Sequence, residues 1–202
     1  MSVRPATLSA ADAALICALR RDEPDAAERL VERYADNIYR LAMRATGSSD
    51  DAEAVTRDTL WAVARDIERF TGESTFASWI CRIAADTAYQ LLRTRETSVE
   101  GIAPDAALAA FDADGRHRRP VDDWSKRLED ATVRGAAQRA LTAGIEALSA
   151  ADRMAFVLHD VEGVASVEIA ATLGTSPRDV KARVHRVRLF LRQRLSERVE
   201  AA

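Results

Sequence analysis

The sequence predicts an all-α protein with two helical domains joined by a flexible linker, and three observations support this fold class. Through most of the 202 residues, apolar side chains recur at the three- and four-residue spacing of amphipathic helices. Glycine and proline, which are frequent in turn-rich β structure, number only 8 and 5. The periodicity stops in segment 96–123, which carries seven acidic residues and three arginines. Because so long an irregular stretch is uncommon inside one compact domain, we expect domains at 1–96 and 124–202 with an acidic linker at 97–123.

Four helices are expected in the N-terminal domain, at Ala10–Arg20, 25–45, 50–69 and 75–95. The second should end at Gly47, because glycine adopts the left-handed backbone of a helix terminus at little cost. Asp50 and Glu53 give the third a start that resembles a capping box. The apolar stripe of the second helix comprises Leu30, Val31, Tyr34, Ile38, Leu41, Ala42 and Ala45.

In the C-terminal domain the pattern predicts a helix at 124–148 and a second at 149–159 that is capped by Ser149, followed by two helices separated by a tight turn. Ser166 is the expected cap of the first of this pair, and Gly174 stands where it should end. Ser176 should cap the last helix, at 176–195, with Pro177 in its first position and Asp179 in its first turn. This arrangement predicts a helix-turn-helix.

The last helix is strongly cationic, with seven basic residues and one acid, in a chain whose net charge is −3. A run of charge is often only a solvated face, but this run has one sign and follows a short helix and a tight turn. Residues near the start of such a helix reach base edges in the major groove, where arginine can contact guanine. The candidate DNA-binding residues are Arg178, Asp179, Lys181, Ala182, Arg183 and Arg186.

The helix at 75–95 is a second candidate for nucleic-acid binding. It combines Trp79 and Tyr89 with Arg82, Arg93 and Arg95, and aromatic and cationic side chains together suit unstacked bases. The alternative is that Trp79 packs in the domain core.

The sequence argues against catalysis. His117, His159 and His185 lack the spacing of metal ligands, and the phosphate-binding, dinucleotide-binding and nucleophile-elbow motifs are all missing. We therefore expect no enzymatic activity, no metal and no cofactor. Cys17 and Cys81 are far apart and outside any Cys-x-x-Cys motif, which favours buried, reduced thiols in a cytoplasmic protein. With no run of about 18 apolar residues and no export signal, membrane insertion is not expected.

Two blocks of the chain resemble the extracytoplasmic-function (ECF) group of bacterial RNA polymerase sigma factors, in the sigma-70 family. The first block, similar to region 2 of that family, is LVERYADNIYRLAMRATGSSDDAEAVTRDTLWAVARDIERFTGESTFASWICRIAADTAYQLLRTR. The second, similar to region 4, is LSAADRMAFVLHDVEGVASVEIAATLGTSPRDVKARVHRVRLFLRQRL. The resemblance implies a factor that binds core RNA polymerase and reads the −10 and −35 promoter elements, while the polymerase performs the chemistry.

The resemblance also implies partners and residue roles. Region 4 would read the −35 element and dock on the β flap, the linker would run toward the RNA exit path, and an anti-sigma factor would hold the protein inactive. Residues expected to bind the β′ clamp helices are Asp51, Glu53, Val55, Asp58, Thr59, Trp61 and Arg65. Residues expected to melt and read the −10 element are Ser74, Thr75, Phe76, Trp79, Arg82, Asp86, Tyr89 and Arg93, with a flipped base near Arg82, Asp86 and Tyr89.

The chain departs from the family pattern where DNA is expected. Asp86 stands where the family often has asparagine, and an acid facing DNA costs affinity unless it accepts a hydrogen bond from cytosine or pairs with a cation. Gln90 and Ala54 each replace a usual acid, and Arg178 and Asp179 replace small residues. Two alternatives stay open: a dimeric helix-turn-helix regulator that acts without polymerase, and a helical interaction protein that has lost DNA binding.

Overall fold

The computed structural model describes residues 8–95, 111, 118 and 129–200, and the chain divides into two compact units, Met1–Arg95 and Glu96–Ala202. All the regular elements in these described residues are helices, which confirms the all-α prediction. Most of the expected linker and the start of the helix expected from 124 lie outside the described residues. Two isolated residues of this segment are described. Phe111 is buried, and its carbonyl oxygen accepts a hydrogen bond from Nε of Arg118 at 2.8 Å.

Unit 1 contains four α-helices, α1 (Ala10–Arg20), α2 (Ala26–Thr46), α3 (Ser49–Arg65) and α4 (Phe76–Arg95), with a 3-10 turn at Ile67–Arg69. Gly47 ends α2 with a left-handed φ of 72°, as predicted. The expected start of α3 is wrong by two residues: Ser48 is its cap, accepting from the Asp51 amide, and Asp50 lies inside the helix. The expected end at 69 is also wrong, because the α-helix stops at Arg65 before the tighter turn.

An aromatic cluster forms the centre of unit 1. The fully buried ring of Phe76 lies 5.3 Å from Phe70, 5.5 Å from Tyr34 and 5.8 Å from Trp79, measured between ring centroids. Edge-to-face and stacked pairs at these distances add stability beyond the area that they bury. The cluster joins α2 and the turn after α3 to the first turn of α4. The Tyr34 hydroxyl also donates to Asp12 at 2.7 Å, which attaches α1.

Unit 2 contains α5 (Ala131–Glu146), α6 (Ala150–Phe156), α7 (Ser166–Leu173) and α8 (Pro177–Glu200). A π-helical turn, Val157–Val161, continues α6. Ser149 caps α6 through the Asp152 amide, and Gly174 ends α7 with a φ of 63°, both as predicted. Ser166 is not a cap but the first residue of α7, since Ala165 occupies the cap position. The last helix extends beyond the predicted end at 195.

The buried face of α8 forms the core of unit 2, and α5, α6 and α7 all pack against it. Leu148 packs in a cluster with Val187, Phe190 and Leu191. Leu195 packs against Val133 and Ala137 of α5. The backbone of α5 approaches α8 closely at Gly144, where an added Cβ atom would lie 2.8 Å from Cδ2 of Leu191. A larger residue at this helix crossing would therefore force the buried Leu191 side chain to shift.

We expect Gly144→Ala to lower the free energy of unfolding of unit 2 by about 1–3 kcal/mol, because the methyl group overpacks a filled contact. Gly135→Ala on the same helix is the matched control, since its Cβ would meet only the flexible guanidinium of Arg139 at 3.4 Å. That control should gain up to about 1 kcal/mol from helix propensity. Urea unfolding followed by circular dichroism measures both, and equal effects of the two substitutions would contradict the steric argument.

Candidate nucleic-acid and protein interfaces

Helix α4 has one face in the core of unit 1 and an opposite face that is polar and largely exposed. The buried face carries Phe76, Ile80, Ala84 and Ala88. The opposite face carries Arg82, Asp86, Tyr89 and Arg93, whose spacing of three and four residues aligns them along the helix. Within this row, the guanidinium of Arg93 lies 5.8 Å from the centroid of the Tyr89 ring, close enough for a cation–π contact. The structure therefore brings these four candidate residues together on one surface.

Two candidates on the same helix lie in the interior instead. Phe76 is 0% and Trp79 is 6% exposed, and their rings stack on each other within the aromatic cluster. Both side chains therefore belong to the core of unit 1, and their contact with DNA stays a prediction. Thr75 has a structural role as well, since its hydroxyl accepts from the Ser78 amide at the start of α4. Ser74, before it, is half-buried.

The candidates on α3 divide in the same way between interior and surface. Asp51, Val55 and Thr59 are at most 4% exposed. Asp51 forms an ion pair with Arg95, the last residue of α4, and Val55 packs in the core. All three therefore have a role inside unit 1, and their contact with a partner stays a prediction. The candidates that reach the surface are Glu53, Asp58, Trp61 and Arg65.

An apolar groove of about 580 Å³ runs between α2 and α3. Trp61 stands at the groove with 70% of its surface exposed, and Val31, predicted to be part of the buried stripe of α2, is 47% exposed there. Leu30, Tyr39 and Leu60 also line it. A large apolar surface open to solvent is typical of a protein-binding site. Its α2 wall was missed from the sequence, because Val31 matched the helical period of core residues.

In unit 2, α7 and α8 form the predicted helix-turn-helix. The Ser176 hydroxyl accepts from the Asp179 amide at 3.1 Å, and Oδ2 of Asp179 in turn accepts from the hydroxyls of Ser176 at 2.7 Å and Thr175 at 3.1 Å. These hydrogen bonds hold the pKa of Asp179 below its ordinary value, and the one from the Ser176 hydroxyl has the largest effect. The carboxylate of Asp179 is therefore engaged in capping α8, although the side chain is exposed.

The basic residues of α8 differ in their surroundings. Arg178, Lys181 and Ala182 are exposed and Arg186 is half-buried; the three cations among them form no ion pair with any residue in the described ranges. Arg183 is different, because its Nη1 lies 2.8 Å from Oδ1 of Asp152 on α6. This geometry separates Arg183 from the other candidates for base contact.

Two acids that the sequence analysis did not single out lie beside α8. Asp152 pairs with Arg183, and Asp160 in the π-helical turn accepts two hydrogen bonds from Arg188 at 2.6 and 2.7 Å. The spacing of Ser149 and Asp152 could have indicated that Asp152 is a capping residue. No local signal marks Asp160, whose partner is 28 residues away.

In the part of the chain that the structure describes, no group of three or more His, Cys, Asp or Glu side chains could hold a metal ion. Among the same residues, no helix is long and apolar enough to cross a membrane. Cys17 is exposed and Cys81 is half-buried, so the expectation of buried thiols is wrong.

Comparison with known proteins identifies relatives of both units. A family model described as "Sigma-70 region 2" matches residues 30–97, and one described as "Sigma-70, region 4" matches residues 138–191, together more than half of the chain. The ECF RNA polymerase sigma factor SigE of Mycolicibacterium smegmatis is 33% identical over 170 residues, covering 84% of this chain and 62% of the relative. This chain thus spans less than two thirds of that relative's length.

Two further relatives are matched over a larger share of their own length. The ECF RNA polymerase sigma-E factor of Haemophilus influenzae is 28% identical over 188 residues, covering 91% of this chain and 95% of the relative. In the co-crystal structure of the sigma factor RpoE with the anti-sigma factor NepR from Bartonella quintana, a chain shares the fold with a TM-score of 0.55 and 20% identity. That match covers 83% of this chain and 95% of the other. With both regions present in order and ECF sigma factors as relatives over most of its length, the chain belongs to the sigma-70 family, in its ECF group.

Proposed function

We propose that this chain is a sigma factor that binds core RNA polymerase and directs promoter-specific initiation of transcription by reading the −10 and −35 elements. One observation carries the proposal. Each matched region contains a helical segment, α4 or the N-terminal half of α8, that buries one face and presents polar and cationic residues on the other. We assign region 2 to 1–96, the linker to 97–123 and region 4 to 124–202.

The groove between α2 and α3 is the proposed contact with the β′ clamp helices of the polymerase. Tryptophan is frequent among the residues that dominate protein–protein binding energy, and Trp61 is exposed beside an apolar groove. Glu53, Asp58 and Arg65 supply charge on the same helix. The polar surroundings of an apolar centre match the usual composition of a protein interface.

The outer face of α4 is the proposed reader of the −10 element. Arg82 and Arg93 would contact phosphates, and Tyr89 would stack on an unpaired base. Asp86, in the middle of this row, is suited to accept a hydrogen bond from the N4 amino group of cytosine. Ser74 and Thr75, at the start of the helix, would lie beside the DNA strand that carries this unpaired base.

The exposed start of α8 is the proposed reader of the −35 element, with region 4 also docking on the β flap. Arg178, Lys181, Ala182 and Arg186 are the residues placed to reach base edges or phosphates. Asp179 would contribute by holding the first turn of the helix. Because the polymerase supplies much of the DNA contact, a protein of net charge −3 can still select a promoter.

As an initiation factor the chain would carry no catalytic activity of its own and would act in the cytoplasm, where the polymerase is. The neighbour from Bartonella quintana was solved in complex with an anti-sigma factor. We propose that an anti-sigma factor holds this chain inactive too.

The proposed function is tested by in-vitro transcription with core polymerase and a library of promoter sequences. We expect the chain to bind core and to produce run-off transcripts from a subset of templates that share two conserved elements. No binding to core and no transcript from any template would overturn the proposal. A stable homodimer that binds a palindrome without polymerase would instead support the alternative regulator.

Trp61→Ala should weaken binding to core polymerase by about 30-fold or more, because the loss of an interface tryptophan costs about 2 kcal/mol. The fold should be unaffected, since most of this side chain is in solvent. The matched control is Leu8→Ala, which removes another exposed apolar side chain of unit 1 away from the groove. Titration of labelled core measures both, and equal affinities would remove the groove from the interface.

Tyr89→Ala should weaken binding of the assembled holoenzyme to a single-stranded oligonucleotide carrying the selected −10 sequence by about 1–3 kcal/mol, the range for loss of one stacked base. Tyr89→Phe keeps the ring and should bind nearly as well as the wild type. Fluorescence anisotropy measures the three affinities. If the phenylalanine variant loses as much as the alanine variant, the hydroxyl and not stacking accounts for the contact.

A further inference from the structure

Two arginines of α8 are held by aspartates from the elements beneath it. Arg183 donates to Asp152 on α6 at 2.8 Å, and Arg188 binds Asp160 in the π-helical turn with two hydrogen bonds. Both aspartate side chains are mostly buried, at 11% and 17% exposure. We call these two ion pairs the braces. They engage two of the seven basic residues in the stretch 176–195.

The braces lie on opposite edges of the buried stripe of α8. This stripe consists of Val180, Val184, Val187 and Leu191, all at most 4% exposed. With 3.6 residues per turn, Arg183 and Arg188 fall about 70° to either side of its centre. Because there is an ion pair on each edge, rotation of the helix in either direction would break one of them. Apolar contacts between valine side chains are less directional and resist such a rotation less.

Each aspartate is itself held in place by a second contact. The Ser149 hydroxyl donates to Oδ2 of Asp152 at 2.9 Å, and Nδ1 of His159 lies 2.7 Å from Oδ1 of Asp160. Hydrogen bonding from Arg188 keeps the pKa of Asp160 below its ordinary value, so this carboxylate stays charged at neutral pH. Anchored acids of this kind define a fixed position for the arginines that they bind.

The rotational setting of α8 matters because base contacts tolerate little displacement. With side chains extending about 5–6 Å from the helix axis, a rotation of roughly 20° moves a side-chain end by about 2 Å. That displacement exceeds the range of distances over which a hydrogen bond forms. A small rotation would therefore exchange one set of base contacts for another.

We infer that Asp152 and Asp160 are positioning residues that set the rotation of α8 through Arg183 and Arg188, and so determine which bases Arg178, Lys181, Ala182 and Arg186 read. Arg183 is then a brace and not a reader of bases. The inference rests on the proposed function, since it concerns the choice of −35 sequence by region 4.

The test uses holoenzyme assembled from the full chain and core polymerase, offered a promoter library randomised over the −35 element. The variants are Asp152→Asn, Asp152→Glu, Arg183→Ala, the double mutant of Asp152→Asn with Arg183→Ala, and Asp160→Asn, with Glu197→Gln as the control. Glu197 is an exposed acid on α8 bonded to Gln193 at 2.9 Å, so its substitution removes the same charge far from the braces. Enrichment of each base at each position is measured relative to the others, which makes the readout independent of the folded fraction.

We expect Asp152→Asn and Arg183→Ala to change relative base preference by roughly fivefold or more at the same positions, the size of effect when a base contact is gained or lost. The double mutant should show no greater change than either single variant, because both break one brace. Asp152→Glu should restore much of the wild-type preference, and Glu197→Gln should leave it unchanged.

Three results would overturn the inference. The first is a uniform loss of binding across all sequences, which would give the braces a role in stability alone. The second is a loss of guanine preference in Arg183→Ala that Asp152→Asn does not share, which would make Arg183 a base reader. The third is an unchanged preference in both aspartate variants. Failure of the proposed function would be distinct, because the wild-type holoenzyme would then enrich no −35 sequence.

Discussion

Both units depend on one constraint: a single helix must pack against the core with one face and meet a polar partner with the other. In α4 the constraint is met by the Phe76 cluster, and in α8 by a narrow stripe of valines and leucine. Neither helix can slide or turn without losing buried contacts. The positions of the outward-facing residues on α4 are therefore set by apolar packing on its opposite side, whereas on α8 the apolar stripe acts together with the two braces.

The arginines of this chain serve two purposes, and charge alone does not distinguish them. Arg95, Arg183 and Arg188 bind aspartates within their own units, and Arg194 lies 5.3 Å from the Phe190 ring. A guanidinium group that is held by a fixed carboxylate has part of its charge offset and is less available to neutralise a phosphate. A count of basic residues on α8 therefore overstates the charge available to DNA, and the exposed cations near its first turns form a smaller and better-defined surface.

The sequence predicts the helices well because their signals are local. Apolar spacing, Gly47, Gly174 and the Ser149 and Ser176 caps all act within a few residues, and the structure confirms them. Family resemblance indicates the segments that are proposed to be functional, but it does not resolve which side chains within them face outward. Phe76, Trp79, Val55 and Thr59 lie in the core because of tertiary packing, and the partners of Asp51 and Asp160 are 44 and 28 residues distant. Such pairings depend on how helices meet, which no local pattern encodes.

The exposed start of α8 has a consequence for how this protein can evolve. The side chains of Arg178, Lys181 and Ala182 are largely in solvent, so substitutions there cost little folding free energy. Under the proposed function, promoter choice can therefore drift, after gene duplication for example, while the scaffold beneath stays intact. A chain built in this way can acquire a new set of target genes through a few surface changes. The same separation makes these positions suitable for engineering sigma factors that do not cross-react with those of the host.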